Sequence, residues 1–479
     1  MFKLGAVVVS SSAALSPHGM RAACNPLFGV SLAVLLTGCA STVPQATAPA
    51  WYATAFQASA CMPSIEGPIL HNESTKGYSR IVGTPPSHVE EEFFISCNVR
   101  GSNYRTLIHV IRPKNPANAS GLVEVEPWHS GDNWTIFNDL KNYLLKRNDT
   151  SVIVVTQSRL LERRIKPSDP SRYSSLVIPD VEEGVPEMLA QVGALLKAGK
   201  VPNVTVKHLI LAGHSETGAE TRHYIDVEAR AAKFNGHRIY DGYFPSQSAL
   251  NRTDTDHPLP DVGVPVIEVQ GERELIEVFH RGRSIYWRRP DGPQYRLYEV
   301  PGMAHISTRP ETDQSGAPAV VDPSAAAYSD PKTWNCLEKD LSPLPYIQIK
   351  TAAFDSLVKW VEQGTPAPGA PRIATDKSGQ ILRDEFGNAK GGVPVVYFKV
   401  PTGTLHSVNG SYVSTLTERC DWIGSFKPFS EEALRKLYPT HAAYVREFDS
   451  ALDAIVHEGF YPAEDAPELK AEAQQADIP

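Results

Sequence analysis

His208-Leu-Ile-Leu-Ala-Gly-His-Ser-Glu-Thr-Gly-Ala219 runs from an apolar strand straight into a tight turn with a serine at its apex. A serine placed on a sharp strand-to-helix turn, a nucleophile elbow, needs a small residue two positions before it, because backbone segments approach closely there. Gly213 meets that demand. The usual second glycine, two residues after the serine, is replaced by Thr217, and Gly218 follows one step later. The spelling is G-x-S-x-T-G rather than G-x-S-x-G. Read as an elbow, it makes Ser215 a nucleophile for acyl transfer.

Outward from this turn, strand and helix signals alternate. Residues 106–112, 121–126, 151–156, 207–212, 238–241, 264–269 and 295–300 read as strands, and 137–146, 184–197 and 220–234 as helices. Apolar strands separated by helices predict an α/β fold with a mainly parallel central sheet and helices on both faces. Ligands on such sheets sit at the carboxyl ends of the strands. Ser215, Glu272, Glu274 and His305 all follow strands in this sense.

A serine hydroxyl becomes a good nucleophile when an imidazole takes its proton and a carboxylate holds that imidazole in the right tautomer. His305, in Val300-Pro-Gly-Met-Ala-His305, lies just past a strand and last in the order serine, acid, histidine. His214 is the rival, but beside Ser215 on a tight turn it is expected to shape the elbow. For the acid, Gln270-Gly-Glu-Arg-Glu274 offers Glu274, three residues after a glycine at a strand end, with Glu272 as runner-up. Asp241, at the end of the preceding expected strand, is a third choice. The oxyanion needs two preorganised amides. One is expected from Glu216, and the other from the His129–Ser130 region of the loop Pro127-Trp-His-Ser-Gly131. Trp128, Trp134, Tyr243, Phe244, Tyr286 and Trp287 could line an apolar pocket there; core packing is their other use.

Bulk properties narrow the function classes. The chain has 479 residues, 42% hydrophobic and 21% charged, with a formal net charge of −8, which suits a globular core and leaves no basic stripe for nucleic acid. No C-x-x-C occurs and no histidine pair stands at i, i+4 beside a carboxylate, so neither metal nor other cofactor is expected. Residues from Met20 to Cys39 give a short basic start, an apolar run from Leu27 to Leu36, and Leu36-Thr37-Gly38-Cys39. This resembles a bacterial lipoprotein signal, with Met20 as a better start than Met1 and Cys39 as the lipidated residue. An ordinary cleaved signal ending near Ala40 is the alternative. Ala40 after the cysteine leans, by resemblance to known sorting behaviour, to a periplasm-facing outer-membrane protein. Residues 1–38 are then signal, 39–58 a tether, and 59–470 the folded domain. The remaining Cys61, Cys97, Cys336 and Cys420 suggest two disulfides; of three pairings, proximity favours Cys61–Cys97 and Cys336–Cys420.

The stretches G-H-S-E-T-G-A-E-T-R-H-Y-I, Ile239-Tyr-Asp-Gly-Tyr-Phe-Pro245, V-P-V-I-E-V-Q-G-E-R-E and Y-R-L-Y-E-V-P-G-M-A-H resemble a little-characterised family of bacterial alpha/beta hydrolase-domain proteins. In that family a G-x-S-[QE]-[ST]-[GA] elbow is followed by Arg and Tyr, matched here by Arg222 and Tyr224. Cys420-Asp-Trp-Ile-Gly-Ser-Phe-Lys-Pro-Phe429, Leu437-Tyr-Pro439 and Gly459-Phe-Tyr461 extend the likeness towards the C-terminus. The resemblance implies an alpha/beta hydrolase fold and a serine hydrolase, with no named substrate. Members often end the acid-bearing strand in T-E-x-D, where this chain has G-E-R-E, so a glutamate stands for the aspartate. Segments 159–179 and 306–343 are expected as cap insertions. The expected activity is hydrolysis of a small-molecule ester. An acyltransferase or amidase, and a noncatalytic envelope binding or tethering lipoprotein, are the alternatives.

Overall fold

The computed structural model describes residues 61–69, 84–130, 135–181, 184–227, 229, 231–248, 258–280, 288–309, 336–410 and 420–479. The signal segment with Cys39, the tether, Gly131, Trp134, Tyr286, Trp287 and residues 310–335 of the second cap segment lie outside them.

Nine strands form one sheet: β1 (Ser64–Ile69), β2 (His88–Val99), β3 (Ser102–Pro113), β4 (Leu122–Pro127), β5 (Thr150–Val154), β6 (His208–His214), β7 (Gly242–Ser246), β8 (Val266–Gly271) and β9 (Tyr295–Val300). Their order is β1-β2-β3-β5-β4-β6-β7-β8-β9. β1 to β3 are antiparallel and join β5 antiparallel, whereas β5, β4, β6, β7, β8 and β9 run parallel. Every residue of β4, β5, β7 and β8 is buried, as expected of parallel strands covered on both faces.

The longer helices among the described residues are α1 (Ile136–Arg147), α2 (Gly184–Lys197), α3 (Glu216–Val227), α4 (Glu272–His280) and α5 (Tyr346–Gln363), with α6 (His441–His457) and α7 (Ala466–Gln475) in the C-terminal part. The chain moves one way along the sheet from β4 to β5 and the other way from β5 to β6. Right-handed crossovers therefore put α1 and α2 on opposite faces. α5 joins α1, with Phe354 edge-on to Tyr143 at 5.9 Å and to Phe244 of β7 at 5.2 Å. Order reversal leaves a crevice at the carboxyl ends of β4 and β6, and the elbow serine stands there.

Two expectations change. The helix expected over 220–234 starts at Glu216 and ends at Val227, and Lys233–Phe234 pairs with His237–Arg238 instead. Asn235 (φ 50°) and Gly236 (φ 79°) form the two-residue turn between them, the Asn-Gly hairpin signal. The strand expected over 238–241 is β7, beginning at Gly242. A Cβ at Gly242 would stand 2.8 Å from Val361 Cγ2 of α5, which explains the glycine at the point where the strand enters the core.

Of the expected cap, the first segment ties back to the antiparallel strands. Tyr173 donates to Glu92 of β2 at 2.9 Å, and Val177 pairs with Arg105 of β3. Both expected disulfides are present, Cys61–Cys97 and Cys336–Cys420.

Candidate active site

Ser215 sits at φ 59°, the left-handed region that a non-glycine residue occupies only when its surroundings force it. The forcing contacts are local. The His214 amide donates to Thr217 Oγ1 at 2.9 Å, and that hydroxyl donates to the His214 carbonyl, also at 2.9 Å. Thr217 thus closes the turn with its side chain, a reason for a threonine where the common spelling has glycine. A Cβ at Gly213 would stand 2.3 Å from the Thr217 carbonyl oxygen, and one at Gly218 would stand 2.4 Å from the Ser246 carbonyl oxygen. Both glycines are steric requirements, and Gly218 takes the packing role one residue late. Gly213→Ala is expected to destabilise the fold by about 3 kcal/mol, read as a lower urea midpoint, because the clash is with backbone.

The structure brings Ser215, His305 and Glu274 together. His305 Nε2 lies 2.8 Å from Ser215 Oγ, and His305 Nδ1 lies 2.7 Å from Glu274 Oε1. Glu274 Oε2 accepts the Gly271 amide at 3.0 Å and the Gln247 side-chain amide at 3.4 Å. Burial alone would raise the Glu274 carboxyl, but the His305 hydrogen bond, with help from Arg273 and Gln247, holds it below the usual carboxylate value. At His305 burial dominates over Glu274 and leaves the imidazole below its ordinary 6.5. The pair therefore rests as carboxylate and neutral imidazole at neutral pH.

The two other candidate acids are used elsewhere. Glu272 accepts the Gly302 amide at 2.7 Å and pairs with Arg383 at 2.7 Å. Asp241 precedes β7, so it lies at the amino ends of the parallel strands. There it accepts from Lys197 at 2.9 Å and from the Leu209 amide at 2.9 Å. The strand begins at Gly242 rather than ending at residue 241, so Asp241 stands at the opposite edge of the sheet from Ser215.

At the expected oxyanion pocket, Glu216 is the first residue of α3, directly after the serine. The Ser130 amide and hydroxyl both donate to the Glu216 carboxylate, at 3.0 and 2.6 Å, and His129 Nδ1 lies 3.6 Å from the same oxygen. The Ser130 N–H is thus committed to a side chain rather than offered to an oxyanion. The clasp instead ties the loop after β4 to the elbow. The far end of that loop is anchored as well, since Glu126 accepts the first two amides of α1, Ile136 at 2.7 Å and Phe137 at 2.9 Å.

Several residues at the site were not singled out from the sequence. Gln247, fully buried at φ 48°, donates to the Ala304 carbonyl at 2.8 Å as well as to Glu274. Tyr346 donates to the His305 carbonyl. Trp422 stands edge-on to the His305 ring at 5.0 Å, and its carbonyl accepts the Ile306 amide at 2.8 Å. Arg273 braces this wall through the Asp421 carbonyl at 2.7 Å and over the Trp422 ring at 5.7 Å. Arg273 lay inside the G-E-R-E stretch, but nothing in spacing linked it to residues 421–422. Of the aromatics considered for a pocket, Trp128, Tyr243 and Phe244 belong to the core. Arg222 and Tyr224 also build the interior: Arg222 pairs with Glu268 of β8, and Tyr224 packs on Tyr240 and Tyr243.

The Cys336–Cys420 bridge ends one residue before Asp421 and so fixes the chain that carries Trp422. Replacing both cysteines with serine is expected to cost about 2–5 kcal/mol of stability and to lower turnover through loss of the Trp422 wall. Thermal melting and ester kinetics on the same sample check both.

A family model described as "Alpha/beta hydrolase domain" matches residues 78–471. No curated protein matches. Among solved structures, a putative dienelactone hydrolase from Klebsiella pneumoniae is 13% identical, with 45% of this chain and 86% of that one covered and a TM-score of 0.27. A fungal esterase structure from Rhizomucor miehei is 10% identical over 45% of this chain and 75% of its own, with a TM-score of 0.28. A dienelactone hydrolase from Anabaena variabilis is 12% identical over 45% of this chain and 88% of its own, with a TM-score of 0.29. With the sheet order, the elbow and a family match that runs through most of its length, this chain belongs to the alpha/beta hydrolase domain family.

Proposed function

We propose that this protein is a carboxylic-ester hydrolase that works through an acyl-enzyme on Ser215. The carrying observation is the unbroken row Ser215–His305–Glu274, with both links at 2.7 to 2.8 Å. Ser215 Oγ attacks the ester carbonyl while His305 Nε2 takes its proton. Glu274 holds the His305 Nδ1–H and so keeps Nε2 free to accept. The tetrahedral oxyanion is met by the Glu216 amide and, with Ser130 committed to the clasp, by the His129 amide. His305 returns the proton to the leaving alcohol. A water activated by His305 then releases the acid and regenerates Ser215.

Burst kinetics with p-nitrophenyl esters of graded acyl length test this reading. A stoichiometric burst with an acyl adduct supports it, and intact esters sink it. An acyltransferase or amidase would share the adduct, and partition between water and added alcohols or amines separates these. The noncatalytic binding alternative predicts no adduct. Because His305 must be neutral to accept the proton and its value is lowered, the acid limb of kcat/KM is expected to have its midpoint below pH 6.5. A midpoint above 7 would contradict the arrangement.

For location we propose a lipid anchor on Cys39, with residues 1–38 removed, 39–58 as tether, and the enzyme domain held at the outer membrane facing the periplasm. Two disulfides favour an oxidising compartment. Mass spectrometry of the mature N-terminus tests it, and an unmodified residue 39 would refute the anchor.

A further inference from the structure

The residue before Ser215, His214, packs its imidazole against that of His305. The His214 and His305 rings lie 5.3 Å apart, tilted by 32°, and both are buried. Only His305 reaches the Ser215 hydroxyl, at 2.8 Å, so His214 is a buried neighbour of the base whose own charge state matters to it. Behind His214, on α5, stands Lys350, whose side chain has no exposed surface. Its Nζ lies 3.2 Å from His214 Nδ1 and 2.7 Å from Asp139 Oδ2 on α1, and 4.6 Å from the Tyr346 ring centre. A buried ammonium is costly unless it is paired, and Asp139 supplies that pairing.

An ammonium can only donate, so His214 Nδ1 must accept from it. The His214 proton then sits on Nε2. A second proton on Nδ1 would point an N–H at the ammonium, so His214 is locked neutral. Resting on the Ser215–His305 reading, we propose that Lys350, held by Asp139, is a positioning residue that fixes His214 as the neutral Nε2–H tautomer, so that the ring packed beside the base His305 carries no charge.

The charges around this pair agree with that role. Burial, then Lys350, then His305 and His129, hold His214 well below the ordinary imidazole value. His305 faces Glu274 and Arg273 from α4, Lys350 and Tyr346 from α5, and His214 from β6. Of these only His305 has a carboxylate on its Nδ1, and only His214 has an ammonium there. Opposite partners at the same ring nitrogen give the two histidines opposite duties.

The test uses the whole protein labelled with 15N-histidine, the His214 signal being assigned by its loss in His214→Asn. The expected spectrum shows His214 with a bare Nδ1 and a protonated Nε2, unchanged between pH 5 and 8. Lys350→Met is expected to release the His214 Nδ1, so that the ring exchanges between its two neutral tautomers while burial still keeps it uncharged, and to move the acid limb of kcat/KM up by roughly half a pH unit, since a nearby positive charge is removed. Lys350→Arg keeps the charge and is expected to restore the wild-type limb. A His214 that titrates normally in the wild type, or carries its proton on Nδ1, overturns the proposal. So does a Lys350→Met protein with unchanged spectrum and unchanged limb. If Lys350→Met does not fold, the wild-type spectrum still decides. The tautomer reading needs no turnover, so a protein that hydrolyses no ester but shows the locked His214 would fail the esterase reading alone.

Discussion

Glu274→Gln is expected to lower kcat on an activated ester by about 10⁴ with little change in KM. In the proposed mechanism the carboxylate does two things that an amide cannot. It fixes the His305 proton on Nδ1, 2.7 Å away, and it stabilises the imidazolium that forms when Ser215 loses its proton. Glutamine can present its NH2 to Nδ1, which favours the tautomer with Nε2 protonated and so removes the base. Folding should be little affected, because the amide still fits between Gly271 N and Gln247. Glu272→Gln is the informative contrast. That carboxylate serves the Gly302 amide and Arg383, so its loss is expected to lower Tm while kcat stays within a few-fold. Asp241→Asn should behave likewise through Lys197 and Leu209. A 10⁴-fold loss in Glu272→Gln with a mild effect in Glu274→Gln would reverse the assignment.

Ser215→Ala is expected to remove about 10⁶ of turnover, leaving only what binding and the oxyanion amides supply. The backbone makes a second, separable prediction. With φ at 59°, Ser215 holds a conformation that costs a non-glycine residue of order 1 kcal/mol or more. Ser215→Gly should therefore be equally inactive but more stable than the wild type, visible as a higher denaturant midpoint. Higher stability without activity is what a strained nucleophile elbow predicts. If Ser215→Gly were less stable, the serine hydroxyl rather than catalysis would be the reason for the residue at this turn.

Legibility in the sequence depended on the range of the contact. The elbow, β6 and the boundaries of α2 and β9 were legible because apolar periodicity and a glycine-bounded turn are local signals. Ser215, Glu274 and His305 could be ordered because each follows a strand, and strand ends converge in a parallel sheet. Thr217 departs from the common G-x-S-x-G spelling but fits the [ST] of the family elbow; the doubled hydrogen bond to His214 shows what it does there, closing the turn. Asp241 was misplaced because Ile239 and Tyr240 are buried and apolar like a strand, although the ladder starts at Gly242. Ser130 looked free to donate because its partner, Glu216, lies 86 residues away. Gln247, Lys350 and Trp422 were invisible for the same reason: each reaches the site through tertiary contacts with no spacing rule.

In the proposed mechanism Ser215 is a nucleophile activated by His305. Reaction of the protein with a fluorophosphonate, followed by peptide mass spectrometry, tests it most directly. One adduct per chain on Ser215, abolished in Ser215→Ala and strongly slowed in His305→Ala, is the predicted result. No adduct in the folded wild-type protein, or an adduct that persists in Ser215→Ala, would contradict it.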